Sequence, residues 1–250
     1  MLLSVSTAKP ATRYGLISMR TGWVTFDCFG TLVDWHSGFS ALLRPIAGSK
    51  TTDLLRAYHQ LEPGVQAERP FRLYRKVLSE TLLLAARDIG LELTKSQTAS
   101  IAGHWGSLPV FADVEESLAG LRLAGCEIAV LTNCDDDLFK QTERRFREPF
   151  DLVVTAERVR DYKPAHNHFR FFERTTGVSR SDWVHVACSW FHDIAPARDL
   201  GIKRIWLDRD RTGDDPAAAS LRLLSPTDLP AAVMGLFQTP TGKRSCRQIK

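Results

Sequence analysis

From Pro109 onward, short β-prone apolar runs alternate with stretches of helical spacing, and this alternation limits the fold more than any other feature. Val114–Ala124 has helical periodicity and stops at Gly125. Glu127–Thr132 is an almost continuous apolar run, the pattern of a strand buried on both faces. A helix is expected to begin near Asp135, since Asp136 and Asp137 suit the positive end of a helix dipole. A strand at Asp151–Thr155, a helix after Pro164, a strand at Trp183–Cys188, a helix at Ile194–Leu200 and a strand at Arg204–Leu207 follow. Upstream, Trp23–Asp27 is a β-prone segment that stops at a turn containing Gly30. Repeated strand–helix units imply an α/β fold: a parallel sheet with helices on both faces.

Residues 38–108 interrupt that alternation. LLRPI, DLLRAYHQL, FRLYRKVLSETLLLAARDIGL and ASIAGHWGSL all carry helical spacing, so this stretch reads as an inserted cap of about four helices. Pro63-Gly64 is expected to mark a turn within it, and Gly90 to end its longest helix. The division is then a core from residues 20–37 and 109–238, a helical cap at 38–108, and peripheral tails at 1–19 and 239–250. Met19 is an alternative start.

Composition removes several function classes. No apolar run reaches the roughly 18 residues of a membrane-spanning helix, and no membrane partner is expected. The net charge of +4 is spread along the chain apart from Lys243, Arg244, Arg247 and Lys250, so no basic stripe for nucleic acid is expected. The five cysteines are odd in number and lack CxxC spacing, which argues against a disulfide framework or a zinc site and suits a reducing cytoplasm.

In a parallel sheet of this kind, ligands bind beyond the carboxyl ends of the strands. Asp27 and Thr31 follow the first strand, Thr132 and Asn133 the second, Lys163 the third, and Ser189 and Asp193 the fourth. Two carboxylates, a lysine and hydroxyls would thus meet in one cleft. A carboxylate is a weak nucleophile, but a held substrate raises its effective concentration, and attack would give a covalent ester. Lys163 can steady the Asp27 anion and a substrate acid, and Thr31 and Thr132 can position the carboxylate. Asp193 can accept from Lys163 and orient water. Each also has a structural reading: Thr132 as the end of a strand, Asp193 as an N-cap, Cys28 and Cys188 as small core residues, and the Asp135–Asp137 run as a solvated helix start.

Asp27-Cys28-Phe29-Gly30-Thr31-Leu32-Val33 resembles the first motif of the haloacid dehalogenase-like superfamily, Asp-x-x-Gly-Thr-Leu/Val. Leu131-Thr132-Asn133 resembles the second motif, Tyr162-Lys163-Pro164 the third, and Ser189-Trp190-Phe191-His192-Asp193-Ile194 the fourth, in the same order. The resemblance spans roughly residues 20–235. It implies a Rossmann-like core with a mobile cap, Asp27 as nucleophile, and a small-molecule substrate.

Phosphatases of that superfamily carry a second Asp two residues after the nucleophile, where this chain has Phe29, and hold Mg²⁺ with a fourth-motif acid, where it has Cys188. Both departures resemble the type II, or L-2-haloacid, dehalogenase branch, which needs no metal. There, Asp27 would displace halide from C2 of a short 2-haloacid, and water would release the 2-hydroxyacid with inverted configuration. A halide leaves without protonation, so Phe29 costs this chemistry nothing. The same resemblance implies Phe29, Thr31, Asn133, Ser189, Trp190 and Arg56 as substrate-binding residues, no cofactor, and a homodimer. Arg56 stands one residue from the place of the branch's halide-receiving arginine, with Tyr58 and His59 beside it. Trp190 replaces an Asn that handles the hydrolytic water and is expected to fill space near the nucleophile. His192 offers itself as the proton handler instead. The alternatives are a phosphatase with an altered acid and Mg²⁺ site, and a non-catalytic binding protein on the same scaffold.

Overall fold

The structure is a computed structural model that describes residues 21–211 and 216–238. The tails, Met19 and the four basic residues near the carboxyl end lie outside the described residues. Six strands form one parallel sheet: β1 (Gly22–Phe26), β2 (Cys126–Thr132), β3 (Leu152–Thr155), β4 (Trp183–Ala187), β5 (Lys203–Leu207) and β6 (Leu221–Leu223), in the order β3-β2-β1-β4-β5-β6. The central strands β2 and β4 are buried along almost their whole length. This matches their continuous apolar character, because helices cover both faces of the sheet. The chain leaves β1 toward β2 and β3 on one side and returns to β4, β5 and β6 on the other. The topological switch therefore falls at β1.

Between β1 and β2 lie α1 (Trp35–Ala47), α2 (Thr51–Ala67), α3 (Tyr74–Asp88) and α4 (Lys95–Gly103), the inserted helical cap, followed by α5 (Val114–Leu123) of the core. Two short strand-like segments carry the chain into and out of the insertion. Val33 bridges Val110, Phe111 N donates to Leu32 O at 3.0 Å and Asp34 N donates to Pro109 O at 2.7 Å. The remaining helices are α6 (Asp136–Glu143), α7 (Ala156–Val159), α8 (Asn167–Thr176), α9 (Ala195–Asp199) and α10 (Leu229–Gln238).

Gly90 ends α3 as expected. Its φ of 64° is a left-handed value that glycine adopts without strain, and Leu91 N folds back onto Ala86 O at 2.7 Å. Two expectations need correction. Pro63 and Gly64 lie inside α2, not at a turn. Buried Leu54, Leu55 and Tyr58 before them, and Val65 and Gln66 after them, anchor one continuous helical face, and that packing outweighs the local cost of the two breakers. Asp135 is not part of a solvated helix start. It is fully buried and accepts from Tyr74 N at 2.6 Å and from Arg75 N and Nε at 3.0 Å, so a core carboxylate caps α3, whose own Leu73 supplies no side-chain cap. The fourth-motif helix is also preceded by a π-helical turn, Trp190–Ile194. β6 and α10 were not individually foreseen.

Candidate active site

Asp27 is the first residue after β1, and its N–H donates to Val186 O of β4 at 3.0 Å. The chain then folds tightly: Thr31, Leu32 and Val33 all turn their N–H groups to Cys28 O, at 2.8 to 3.2 Å. Gly30 is required here. Its φ is 90°, and a Cβ on it would stand 2.8 Å from Cys188 Sγ. This turn brings Thr31 back over Asp27. Cys188 N donates to Thr31 Oγ1 at 2.9 Å, and the hydroxyl donates to Asp27 Oδ2 at 2.7 Å.

Lys163 arrives from the loop between α7 and α8. Asn133, just after β2, grips that loop: Lys163 N donates to Asn133 Oδ1 at 2.7 Å, and Asn133 Nδ2 donates to Lys163 O at 3.0 Å. The ammonium is buried and its three protons all have acceptors: Asp27 Oδ1 at 2.9 Å, Leu131 O at 2.8 Å and Asp193 Oδ1 at 2.7 Å. Burial alone would depress the Lys163 pKa, but the charges of Asp193 and Asp27 outweigh it and hold the ammonium above the ordinary lysine value. Burial likewise works against the Asp193 carboxylate. Lys163 and the hydrogen bond from His185 overcome it and hold that group below the usual carboxylate range. A buried charge is retained only when paired and hydrogen-bonded, and this cluster meets both conditions.

The structure thus brings together Asp27, Thr31, Asn133, Lys163 and Asp193. Thr132 stands in the chain between Leu131 and Asn133, which both bond Lys163. Its Oγ1 is buried with no hydrogen-bond partner, and its carbonyl takes His168 Nε2 at 3.1 Å. Asp193 Oδ2 is also buried and unpartnered. Phe29 is half-buried, 5.5 Å from the Trp105 ring. Ser189 caps the π-helical turn, accepting His192 N at 3.1 Å, while its hydroxyl meets His192 Nδ1 at 2.9 Å. Desolvation lowers the His192 pKa. Trp190 is partly buried and packs against the small core cluster that includes Ala187, Ile194 and Trp206, with the Arg198 guanidinium 6.0 Å from its ring.

Arg56 is not brought to the cluster. Its side chain is 64% exposed and pairs with Asp53 at 2.9 Å on the same helix. Solvation draws an arginine at such a helix position outward, and an acid one turn away holds it there. The neighbouring Tyr58 donates its hydroxyl proton to Glu62 at 2.7 Å, and His59 packs edge-on against Trp35 at 4.6 Å.

Sequence reasoning missed three participants. The Cys188 amide fixes Thr31. His185 Nε2 lies 3.1 Å from Asp193 Oδ1, and His185 Nδ1 lies 2.8 Å from Thr25 Oγ1. A polar side chain in the middle of a buried parallel strand needs a partner, so Thr25 in β1 and His185 in β4 carried a signal that went unused.

Mg²⁺ does not fit this donor set. It prefers hard oxygen ligands in near-octahedral geometry. Cys188 occupies one acid position, Phe29 offers no side-chain oxygen, and Asp27 and Asp193 each give an oxygen to Lys163. Among the described residues, no three His, Cys, Asp or Glu side chains are grouped to hold a metal ion.

A six-stranded parallel sheet with its switch at β1, an inserted helical cap and four ordered motifs at the strand ends define a class. The chain belongs to the haloacid dehalogenase-like hydrolases, whose family model matches residues 24–207. It is therefore a hydrolase of that family. Among curated relatives it is similar to the (S)-2-haloacid dehalogenase of Pseudomonas sp. strain YL, with 27% identity over 88% of this chain and 96% of the relative. It is also similar to the (S)-2-haloacid dehalogenase of Xanthobacter autotrophicus, with 28% identity over 71% of each chain. Among solved structures, the fold matches the L-2-haloacid dehalogenase from Xanthobacter autotrophicus with a TM-score of 0.76, 20% identity, and coverage of 87% of this chain and 99% of that one.

Proposed function

We propose that this hydrolase cleaves carbon–halogen bonds in short 2-haloacids through an ester on Asp27, without a metal. The observation that carries this reading is the arrangement around Lys163. One buried ammonium bonds both Asp27 and Asp193, while the residue two places after Asp27 is a phenylalanine. The nucleophile is oriented by Lys163 and Thr31, and no side-chain acid at position 29 serves a leaving group. A halide needs none. An Asp27 oxygen attacks C2, the carbon–halogen bond breaks, and the halide departs with its electron pair. Water then attacks the ester carbonyl carbon; one of its protons goes to the departing alkoxide oxygen and the other to solvent, releasing the 2-hydroxyacid and regenerating the carboxylate. Asp193 Oδ2 is the acceptor best suited to orient that water, since it is buried and otherwise unpaired. The relative from Xanthobacter autotrophicus has been solved with chloropropionic acid covalently bound, which supports the ester by likeness.

The test is halide release from each enantiomer of 2-chloropropionate and from haloacetates, with EDTA present. Chloride is expected from one enantiomer. Phosphate release from a generic phosphomonoester with Mg²⁺, and no halide release under any condition, would replace this reading with a phosphatase.

A further inference from the structure

We propose that His185 is a positioning residue: Trp183 and Thr25 lock its imidazole as the Nε2–H tautomer, and that N–H fixes Asp193 for the chemistry at Asp27. Its catalytic part rests on the ester reading above; the lock itself does not.

Thr25 and His185 are register partners on the adjacent strands β1 and β4, and Trp183 stands two residues before His185 on the same face. The order of donors follows from chemistry. An indole nitrogen can only donate, and Trp183 Nε1 lies 2.8 Å from Thr25 Oγ1. The Thr25 hydroxyl accepts there, so its single proton goes to the other partner, His185 Nδ1, at 2.8 Å. Nδ1 is then the lone-pair nitrogen. The ring proton sits on Nε2 and points to Asp193 Oδ1 at 3.1 Å. A doubly protonated ring would aim a second donor at Thr25 Oγ1 and leave the hydroxyl proton without its acceptor.

Nothing outside can reverse this order. Thr25, Trp183 and His185 are all fully buried. Phe169 and Phe172 of α8 cover them, with ring centroids 5.0 Å from His185 and 4.8 Å from Trp183. The consequence falls on Asp193. Its Oδ1 takes two donors, Lys163 Nζ and His185 Nε2, so the carboxylate cannot rotate without breaking both. Oδ2 is left as its one open acceptor. An apolar residue would fill position 185 without needing partners. A three-residue polar relay spanning two strands is explained by what it does to Asp193.

The test uses the intact protein labelled with ¹⁵N in its histidine rings, His185 being assigned by its loss in His185→Gln. At neutral pH, Nε2 is expected to show the protonated shift and Nδ1 the unprotonated one. Thr25→Val should move the ring toward a mixture of tautomers. An Nδ1–H tautomer or an imidazolium in the parent would overturn the lock. The Lys163 ammonium resonance should be visible in the parent and in His185→Gln, and broadened or lost in His185→Leu. For turnover of 2-chloropropionate, His185→Leu should lower kcat about tenfold or more, the worth of one charge-assisted hydrogen bond, with KM little changed. His185→Gln, which can still donate to Asp193, should recover most of that loss. Equal losses in the two variants would overturn the positioning role. A parent that releases no halide would remove the ester reading while leaving the tautomer result to decide the lock. Should His185→Leu fail to fold, the ring spectra of the parent and of Thr25→Val still decide the lock.

Discussion

The core and the cap each bury a polar cluster, and they do so in opposite ways. In the core, the Lys163 ammonium and the Asp193 carboxylate are held charged by their pairing at 2.7 Å, and Lys163 also bonds Asp27 at 2.9 Å. In the cap, the hydroxyls of Tyr58 and Tyr74 lie 3.3 Å apart, and Tyr58 donates to Glu62. Burial raises the Glu62 pKa, and the Tyr58, Tyr74 and Gln66 hydrogen bonds work against that shift. Burial likewise pushes both tyrosine hydroxyls up. The core therefore opposes desolvation with charge pairing, and the cap yields to it by favouring neutral forms. A nucleophile belongs in the first setting. The second makes a wall.

The largest effect that sharpens this contrast is on the core cation. Lys163→Met leaves two buried carboxylates without their counter-charge, a loss of about 3–5 kcal/mol for a broken buried pair. Urea unfolding at pH 7 would show it, and a loss under about 1 kcal/mol would mean that the cluster is wetter than it looks.

Next in size is a pH effect from His168, fully buried beneath Thr132. Desolvation, then the charge of Lys163, hold its pKa down to about 3. Its folded value lies below the unfolded one, so below about pH 6.5 the unfolded chain binds the extra proton and gains on the folded state. Between about pH 6.5 and 4, stability should fall by roughly 3 kcal/mol from this group alone, at about 1.36 kcal/mol per pH unit. Asp193 adds nothing in that window. Its folded pKa is lowered, so its contribution is present above the unfolded value near 3.9 and is lost only as pH falls below it. Denaturant titrations of the parent and of His168→Phe at both pH values separate the terms: the variant should show a shallower fall.

A smaller effect of opposite sign is expected in the cap. The folded state keeps the Glu62 proton to higher pH than the unfolded chain does, so the group costs stability as pH rises past about 4.3. Glu62→Gln should leave thermal stability at pH 8 unchanged or slightly higher, within about 1 kcal/mol. A large destabilisation would show that the cap cluster depends on charge as the core does. The smallest effect is assigned to Arg56→Ala. The Arg56–Asp53 pair is exposed and is worth about 0.2–1 kcal/mol at most. Turnover should be unchanged, because Arg56 does not reach the cluster.

The same contrast explains what could be read without coordinates. Asp27, Thr132, Lys163 and Asp193 were legible because each stands where an apolar strand gives way to a polar end, and a parallel sheet gathers such ends. The four cap helices were legible from their spacing. Contacts between distant segments were not. Asp135 reads as one of three surface acids until the N-terminus of α3 is placed against it. The interruption at Pro63-Gly64 reads as a turn until the buried residues on either side are seen to share one face. His185 lies within a strand and finds Thr25 only through the β1–β4 register, 160 residues away. Arg56 was assigned by its neighbourhood in the sequence, whereas the face it occupies on α2 turns it to solvent.

One measurement bears most directly on Asp27. Excess enzyme is given limiting 2-chloropropionate in ¹⁸O water for a single turnover, and the peptide containing Asp27 is weighed. Water attacking the ester carbonyl must leave its oxygen in that side chain, so the peptide should gain two mass units while the first product carries none. A labelled product beside an unlabelled Asp27 would mean that water attacks C2 directly, and that no ester forms.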